Sequence, residues 1–176
     1  MKLLNRISLL QFFLYEREDL DVGRNTAFLG PNGTGKTCLL DAVQTVMLGA
    51  DTQRVHFNAQ ADGKRRDRSL RSYCLGIYDQ SEHGRCRDIS NAYISLVFRD
   101  EDTGEVVTAG VALSARVDAV EHSFHGLYIL PGVDLTSADL VEALPDGQVR
   151  VLPWKDAQYR LRALVDEAGS TRTSLI

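Results

Sequence analysis

Residues 30–37 read GPNGTGKT, and they match the pattern GxxxxGK[ST] at each of its fixed positions. A loop of this kind wraps a phosphate chain with backbone N–H groups, and the glycines remove Cβ atoms that would obstruct that approach. We expect Lys36 to place its ammonium group between the β- and γ-phosphates, and the hydroxyl of Thr37 to ligate Mg²⁺. The stretch therefore predicts a site for a nucleoside triphosphate and its metal ion.

The predicted nucleotide contacts are the eight loop residues and the residue that follows them. They are Gly30, Pro31, Asn32, Gly33, Thr34, Gly35, Lys36, Thr37 and Cys38. Thr37 is also the predicted metal ligand.

The segments on either side of the loop have the placement that this motif requires. NTAFL, residues 25–29, is a compact apolar run before glycine, which predicts a buried central strand. TCLLDAVQTVMLGA, residues 37–50, carries apolar side chains around more than half of a helical circumference, which predicts a deeply buried helix ended by Gly49. The N-terminal dipole of that helix would face the same anion.

The rest of the chain predicts an α/β fold with a mixed sheet and an antiparallel meander. Apolar alternation indicates an opening strand over 4–13 and a short second strand near 20–22, whereas the polar residues 51–91 are typical of a long surface excursion. Further predicted elements are strands from 91, over 106–113 and over 123–130, and helices over 137–144 and 156–168. PDGQ, which contains Gln148, is a predicted turn.

Composition limits the class of protein. The 176 residues, 44% of them hydrophobic, are typical of one globular domain, and no run of about eighteen apolar residues predicts a membrane span. Three cysteines without CxxC spacing argue against a zinc site or a disulfide framework. The net charge of -4 means that any DNA contact must be local. We expect a cytoplasmic protein that does not associate with membranes.

Three stretches together resemble a known family. "ISLLQFF…LDVGRNTAFLGPNGTGKTCLLDAVQTVMLGA", with Asp41 and Gly49 in its helix, is similar to the N-terminal head segment of SMC proteins and their relatives, which include MukB and the RecN- or RecF-like repair ATPases. "VRVLPWKDAQYRLRAL" resembles the segment that closes the N-terminal half-head in the MukB-like branch. "HFNAQADGKRRDRSLRSYCLG" most resembles the SMC-like subunit of the plasmid-restricting Wadjet and Mks condensins.

The resemblance implies an ATPase head that binds ATP and Mg²⁺, of which residues 1–176 are the N-terminal part. It implies as partners the C-terminal half-head of the same protein, a second head in a homodimer, kleisin and accessory subunits, and DNA, in a nucleoid-associated complex. The 176 residues contain no LSGGQ-like signature loop and no heptad repeat, and they lack the Asn-Lys-x-Asp motif of GTPases. We therefore expect no catalytic residue in this chain, with Walker B and signature residues in the other half-head.

The sequence offers one candidate for a Walker B carboxylate, and the same stretch also has a structural interpretation. Asp100 and Glu101 follow the apolar run in AYISLVFRDED, but Arg99 interrupts that run and a turn sequence follows at once. A hairpin is the better interpretation. His122 and His125 lie three residues apart on a predicted strand and so point to opposite faces, which favours surface positions over a metal site.

The basic cluster KRRDR, residues 64–68, together with Arg71, has two interpretations. The resemblance places an arginine of this region, Arg66, Arg68 or Arg71, near the nucleotide or near DNA, whereas charge runs are commonly just solvated loops. Two functions also stay open. One is a condensin-like motor in which ATP drives head engagement on DNA; the other is a RecN- or RecF-like repair ATPase, or a nucleotide-gated switch of a nuclease.

Overall fold

A computed structural model describes residues 1–55, 57, 68–79, 81 and 84–170, and the backbone of 174–175. The strands are β1 Lys2–Phe12, β2 Tyr15–Asp21, β3 Ile89–Asp100, β4 Val106–Arg116, β5 Ser123–Pro131, β6 Val141–Ala143, β7 Val149–Val151 and β8 Ser174–Leu175. The helices are α1 Lys36–Met47, α2 Leu70–Leu75 and α3 Trp154–Glu167, with one 3-10 turn at Ser137–Leu140.

Six strands form one sheet in the order β2-β1-β3-β4-β5-β8, and each of these pairings is antiparallel. The predicted opening strand, second strand and three-stranded meander are confirmed. Along β1 the consecutive residues Leu9 and Leu10 are both buried, at 0% and 1% exposure. Because successive side chains point to opposite faces of a strand, the sheet is covered on both sides.

Each face of the sheet has its own hydrophobic core. On the first face, α1 and α2 pack through Leu39, Ala42, Leu70 and Tyr73 against β1, β3 and β4. On the second face, α3 packs through Ala157, Leu161 and Val165, a spacing of four residues that puts all three on one side of a helix. The α/β fold class is confirmed, and the predicted helix over 156–168 is confirmed as α3.

The predicted central strand over 25–29 is wrong. Those residues form no strand, and Leu29 is 91% exposed. A central strand needs hydrogen-bonded neighbours on both sides, and none of the strands within the described ranges lies alongside this segment. Only Phe28 of the run packs, in part, against the first core.

The prediction of a deeply buried helix after the loop is half right. The inner face of α1 is buried through Cys38, Leu39, Ala42 and Val46, and the chain leaves the helix at Gly49 with φ +66°, as predicted. The outer face is open, since Leu40 is 62% exposed and Met47 is 63% exposed. No element of the described chain covers that outer face, so the apolar pattern exceeds what this structure buries.

Two further predictions are corrected. The supposed surface excursion 51–91 contains α2, where Leu70, Tyr73, Cys74 and Leu75 are at most 1% exposed and Ser69 caps the helix together with Ser72. The predicted helix over 137–144 is instead a 3-10 turn followed by β6, because the predicted PDGQ turn returns the chain so that 141–143 pair with 149–151. No helix among the described residues is long and apolar enough to cross a membrane.

Candidate nucleotide-binding site

The GPNGTGKT loop leaves β2 by the exposed segment 22–30 and enters α1 at Lys36. Gly33 and Gly35 adopt φ of +88° and +89°, a conformation that residues with a Cβ rarely take. Thr34 donates a hydrogen bond of 2.9 Å from its hydroxyl to the carbonyl oxygen of Pro31, which closes the loop on itself. Glycine is thus required at positions 33 and 35 by the backbone that this loop adopts.

The start of α1 is suited to an anion. Its N-cap is Gly35, which has no side chain to accept from the first backbone N–H groups, and its first turn holds no acidic residue. Those N–H groups and the positive end of the helix dipole therefore face the loop. Thr37 lies in this first turn and is partly exposed, which suits its predicted role as a metal ligand.

Lys36 is folded back over the loop. Its Nζ donates hydrogen bonds of 2.7 Å to the carbonyl oxygens of both Gly30 and Pro31. The single fixed cation of the motif thus lies against the mouth of the loop, where a bound phosphate chain would lie. Binding of a triphosphate would exchange these two carbonyl contacts for stronger bonds to phosphate oxygens.

Tyr15 borders the loop, although it belongs to no motif in the sequence. A Cβ placed on Gly35 would lie 3.0 Å from the Tyr15 hydroxyl oxygen, so the ring covers one side of the loop. The pKa of the Tyr15 phenol is raised, mainly by burial and to a smaller extent by the nearby Cys38 thiol and Glu18. The phenol therefore stays protonated. Its position after the β1–β2 turn is the sequence signal that could have indicated this contact.

A buried polar cluster lies directly behind the first turns of α1. Tyr73 donates its hydroxyl hydrogen to Asp41 Oδ2, and Arg68 Nη1 lies 3.1 Å from the Tyr73 hydroxyl and 3.9 Å from both Asp41 Oδ2 and Cys38 Sγ. The Arg68 guanidinium also lies 5.7 Å from the ring centre of Phe13. This is a cation–π contact that ties the cluster to the β1–β2 turn.

The ionisation of the cluster follows from its burial. Burial, followed by the hydrogen bond to Asp41, raises the pKa of the Tyr73 phenol, so Tyr73 remains a donor. Burial opposes the charged form of Arg68, but the hydrogen bond to Tyr73 and the charge of Asp41 outweigh it and raise its pKa. Burial raises the pKa of the Cys38 thiol to about 11, so this predicted nucleotide contact is an unreactive thiol.

The three arginines that were predicted near nucleotide or DNA separate in the structure. Arg68 is engaged in the cluster behind α1, close to the loop but directed at protein groups. Arg71 donates to the carbonyl oxygens of Val117 and Ala119, at 3.0 and 2.8 Å, and so ties α2 to the turn after β4. Arg66 lies outside the described residues.

Glu101 stands far from the loop. It is in the β3–β4 turn, accepts a 2.6 Å hydrogen bond from Arg24, and its backbone N–H reaches the carbonyl oxygen of Met1. Tyr15, which touches the loop, pairs with Phe12 at the other end of β1. Because an 11-residue strand is roughly 36 Å long, Glu101 cannot orient a water at the loop. The hairpin interpretation is confirmed.

The described residues contain no cluster of three or more His, Cys, Asp or Glu side chains that could hold a metal ion. His125 contacts Ser114 Oγ at 2.8 Å and stacks on the Trp154 ring at 6.4 Å between centroids. Gln148 lies in the β6–β7 turn, as predicted. The GPNGTGKT loop therefore stays the predicted binding site.

A family model described as the P-loop containing region of AAA domain matches residues 4–64. Residues 4–64 are a P-loop NTPase region. This region spans β1, β2, the loop and α1, the elements that carry the geometry above. P-loop NTPases bind a nucleoside triphosphate, usually with Mg²⁺, and as a class they hydrolyse it. No curated protein matches the chain.

Proposed function

We propose that this P-loop NTPase region is the ATP-binding half of the head of an SMC-like ATPase that acts on DNA. The single observation that carries the proposal is a complete phosphate loop on a helix whose opposite side is apolar and uncovered. Leu40 and Met47 are 62% and 63% exposed on α1, and Leu29 is 91% exposed on the segment that leads into the loop. Leu40 and Met47 are seven residues apart and so share one face of the helix, and an exposed apolar face of this kind is typical of an interaction surface.

The outer surface, defined here as Leu29, Leu40 and Met47, fits a second half-head. In the proposed head the C-terminal half of the same protein covers this surface and supplies a strand beside residues 25–29. It also contributes the carboxylate that orients water, a role for which Glu101 is misplaced. This arrangement explains why 25–29 read as a central strand and α1 as a fully buried helix.

The proposed reaction is hydrolysis of ATP between two such heads. When bound, Mg²⁺ neutralises charge on the β- and γ-phosphates. The residues of this chain bind and orient the nucleotide: the loop N–H groups hold the phosphates, Lys36 neutralises them, and Thr37 offers its hydroxyl to the metal. Engagement of two heads around ATP then moves DNA in a condensin-like complex with kleisin and accessory subunits.

The test of the head proposal is binding of a separately expressed C-terminal half-head to this chain. Met47→Glu should abolish that binding, because it places a charge on the outer surface. Tyr159→Glu is the matched control, since Tyr159 is also 63% exposed but lies on α3, across the sheet. Equal binding by both variants would contradict the proposed role of the outer surface.

The second candidate function is a RecN- or RecF-like repair ATPase or a nucleotide-gated nuclease switch. The same loop and the same outer surface serve it, because both functions use one half-head. Single-molecule imaging of the assembled complex separates the two. ATP-dependent shortening of tethered DNA supports the motor, whereas ATP-dependent cleavage without shortening supports the switch.

A further inference from the structure

The position of α1 depends on contacts along its inner face, since its outer face is exposed. Most inner-face contacts are apolar, through Leu39, Ala42 and Val46, and such contacts are not directional. The hydrogen bond from the Tyr73 hydroxyl to Asp41 is directional and joins α1 to α2. Asp41 lies one turn beyond Thr37, so this bond acts directly behind the predicted metal ligand.

Tyr73 also holds the other elements around the loop. Its ring stacks on Phe12 at 4.8 Å between centroids, and its carbonyl oxygen accepts a 2.6 Å bond from the backbone N–H of Phe13. Phe12 ends β1, and Phe13 begins the β1–β2 turn that leads to Tyr15, whose ring lies against Gly35. Tyr73 therefore links the two walls of the loop, namely the first turns of α1 and the β1–β2 turn that leads to Tyr15.

Arg68 supports this linkage, because its positive charge lies close to the buried carboxylate of Asp41. Asp41 is 2% exposed, and a buried carboxylate without a partner costs several kcal/mol. Arg68 lies 3.9 Å from Asp41 Oδ2 and bonds to Tyr73 at 3.1 Å, so the phenol stands between the two charges. Its contact with Cys38 Sγ, also at 3.9 Å, reaches the residue next to Thr37.

We propose that Asp41, Tyr73 and Arg68 are positioning residues for the nucleotide site, which hold the first turns of α1 and the β1–β2 turn in the geometry that MgATP requires. The proposal rests on the proposed function of the loop. It assigns to these three residues a role in affinity and metal dependence, and it predicts no contact between them and the nucleotide.

The experiment compares two buried tyrosines that lie on opposite faces of the sheet. Tyr73→Phe removes the hydroxyl behind the loop. Tyr93→Phe removes an equally buried hydroxyl, 2% exposed, that donates a 2.7 Å bond to the carbonyl oxygen of Leu152 on the other face of the sheet. Tyr73→Phe should lose more stability in urea than Tyr93→Phe, because the Tyr73 hydroxyl makes two hydrogen bonds, to Asp41 and Arg68, whereas the Tyr93 hydroxyl makes one to a neutral carbonyl oxygen. Affinity is therefore compared under urea-free conditions in which both variants are folded. Calorimetry of residues 1–176 with ATP then measures affinity, with Mg²⁺ and with a chelator.

We expect Tyr73→Phe to weaken MgATP binding by roughly five- to tenfold, in the range of coupling between linked sites. The loss should be smaller without Mg²⁺, because the substitution is expected to displace Thr37, whose predicted role is to bind the metal ion. Tyr93→Phe should bind as the unmodified chain does. A double variant, Asp41→Asn with Arg68→Met, removes both charges together and should reproduce the loss, which keeps the test decisive if Tyr73→Phe does not fold.

Two negative outcomes have different meanings. If the unmodified chain binds no MgATP, the proposed function of the loop fails. If the unmodified chain binds MgATP and both tyrosine variants bind equally well, or the folded double variant keeps full affinity, the three residues only stabilise the fold and the positioning role is overturned.

Discussion

The Nζ atom of Lys36 donates a 2.7 Å hydrogen bond to the carbonyl oxygen of Gly30, so the single cation of the loop contacts the first residue of the loop. A triphosphate that enters the loop must take over this ammonium group. The exchange is favourable because an ammonium–phosphate hydrogen bond joins two charges, whereas the carbonyl oxygen is neutral.

Lys36→Ala should therefore reduce ATP affinity by about a hundredfold or more, because it removes the cation aimed at the β- and γ-phosphates. Isothermal calorimetry measures the change. Lys155→Ala is a suitable control, since Lys155 is an exposed lysine on α3 and its removal changes net charge equally. Unchanged affinity in the Lys36 variant would remove the assignment of the loop.

Thr37→Ala should weaken nucleotide binding in the presence of Mg²⁺ and leave binding in a chelator nearly unchanged. The substitution removes a predicted metal ligand, but it leaves in place the positive charge of Lys36 that would contact the phosphates. The ratio of the two dissociation constants is the quantity to measure. Thr34→Ala serves as the control, since the Thr34 hydroxyl bonds within the loop to Pro31. The assignment of Thr37 fails if both variants keep the same metal dependence.

Residues 1–176 alone should hydrolyse ATP no faster than the uncatalysed background. Phosphoryl transfer to water needs a positioned water as well as a held nucleotide. Glu101, the candidate carboxylate for that role, accepts a hydrogen bond from Arg24 at the far end of β1. Steady-state phosphate release from the chain and from Glu101→Gln should be equally low. Robust turnover that Glu101→Gln abolishes would indicate a self-contained NTPase.

Gly110→Ala should destabilise the fold by about 1–3 kcal/mol, as is typical of overpacking. A Cβ at this position in β4 would lie 2.2 Å from the Tyr128 ring, which is itself fully buried. Gly23→Ala is the control, because its Cβ would meet nothing within 4 Å. Urea denaturation compares the two variants, and equal midpoints would mean that Tyr128 moves aside at little cost.

Only one of the three cysteines should react with a thiol reagent at pH 8 in the native protein. Burial raises the pKa of Cys38 to about 11 and that of Cys74 to about 12, so both stay protonated and enclosed, whereas Cys86 is exposed. All three should react in denaturant. Titration with a chromogenic disulfide counts the thiols, and rapid labelling of Cys38 in native protein would show that the first turn of α1 opens.

Local patterns in the sequence were enough to predict several elements of the fold. The period of two in β3 to β5, the apolar spacing of α3 and the glycines of the loop each act through neighbours in the chain, so their outcome did not depend on distant residues. The β1–β2 hairpin and the β3–β4 turn at Glu101 followed in the same way. In each case the decisive interactions are backbone geometry and local turn chemistry.

Tertiary structure decided the remaining features. Residues 25–29 and the outer face of α1 carry the apolar pattern of a buried core, but burial requires a neighbouring element, and the described chain places none there. The link between Asp41 and Tyr73 joins residues 32 positions apart, and neither Tyr73 nor Tyr15 belongs to a motif. By itself the sequence predicted the phosphate loop and determined the order of most elements. Only the folded chain decided which side chains support that site and which apolar surface stays open, because both depend on contacts between segments far apart in the sequence.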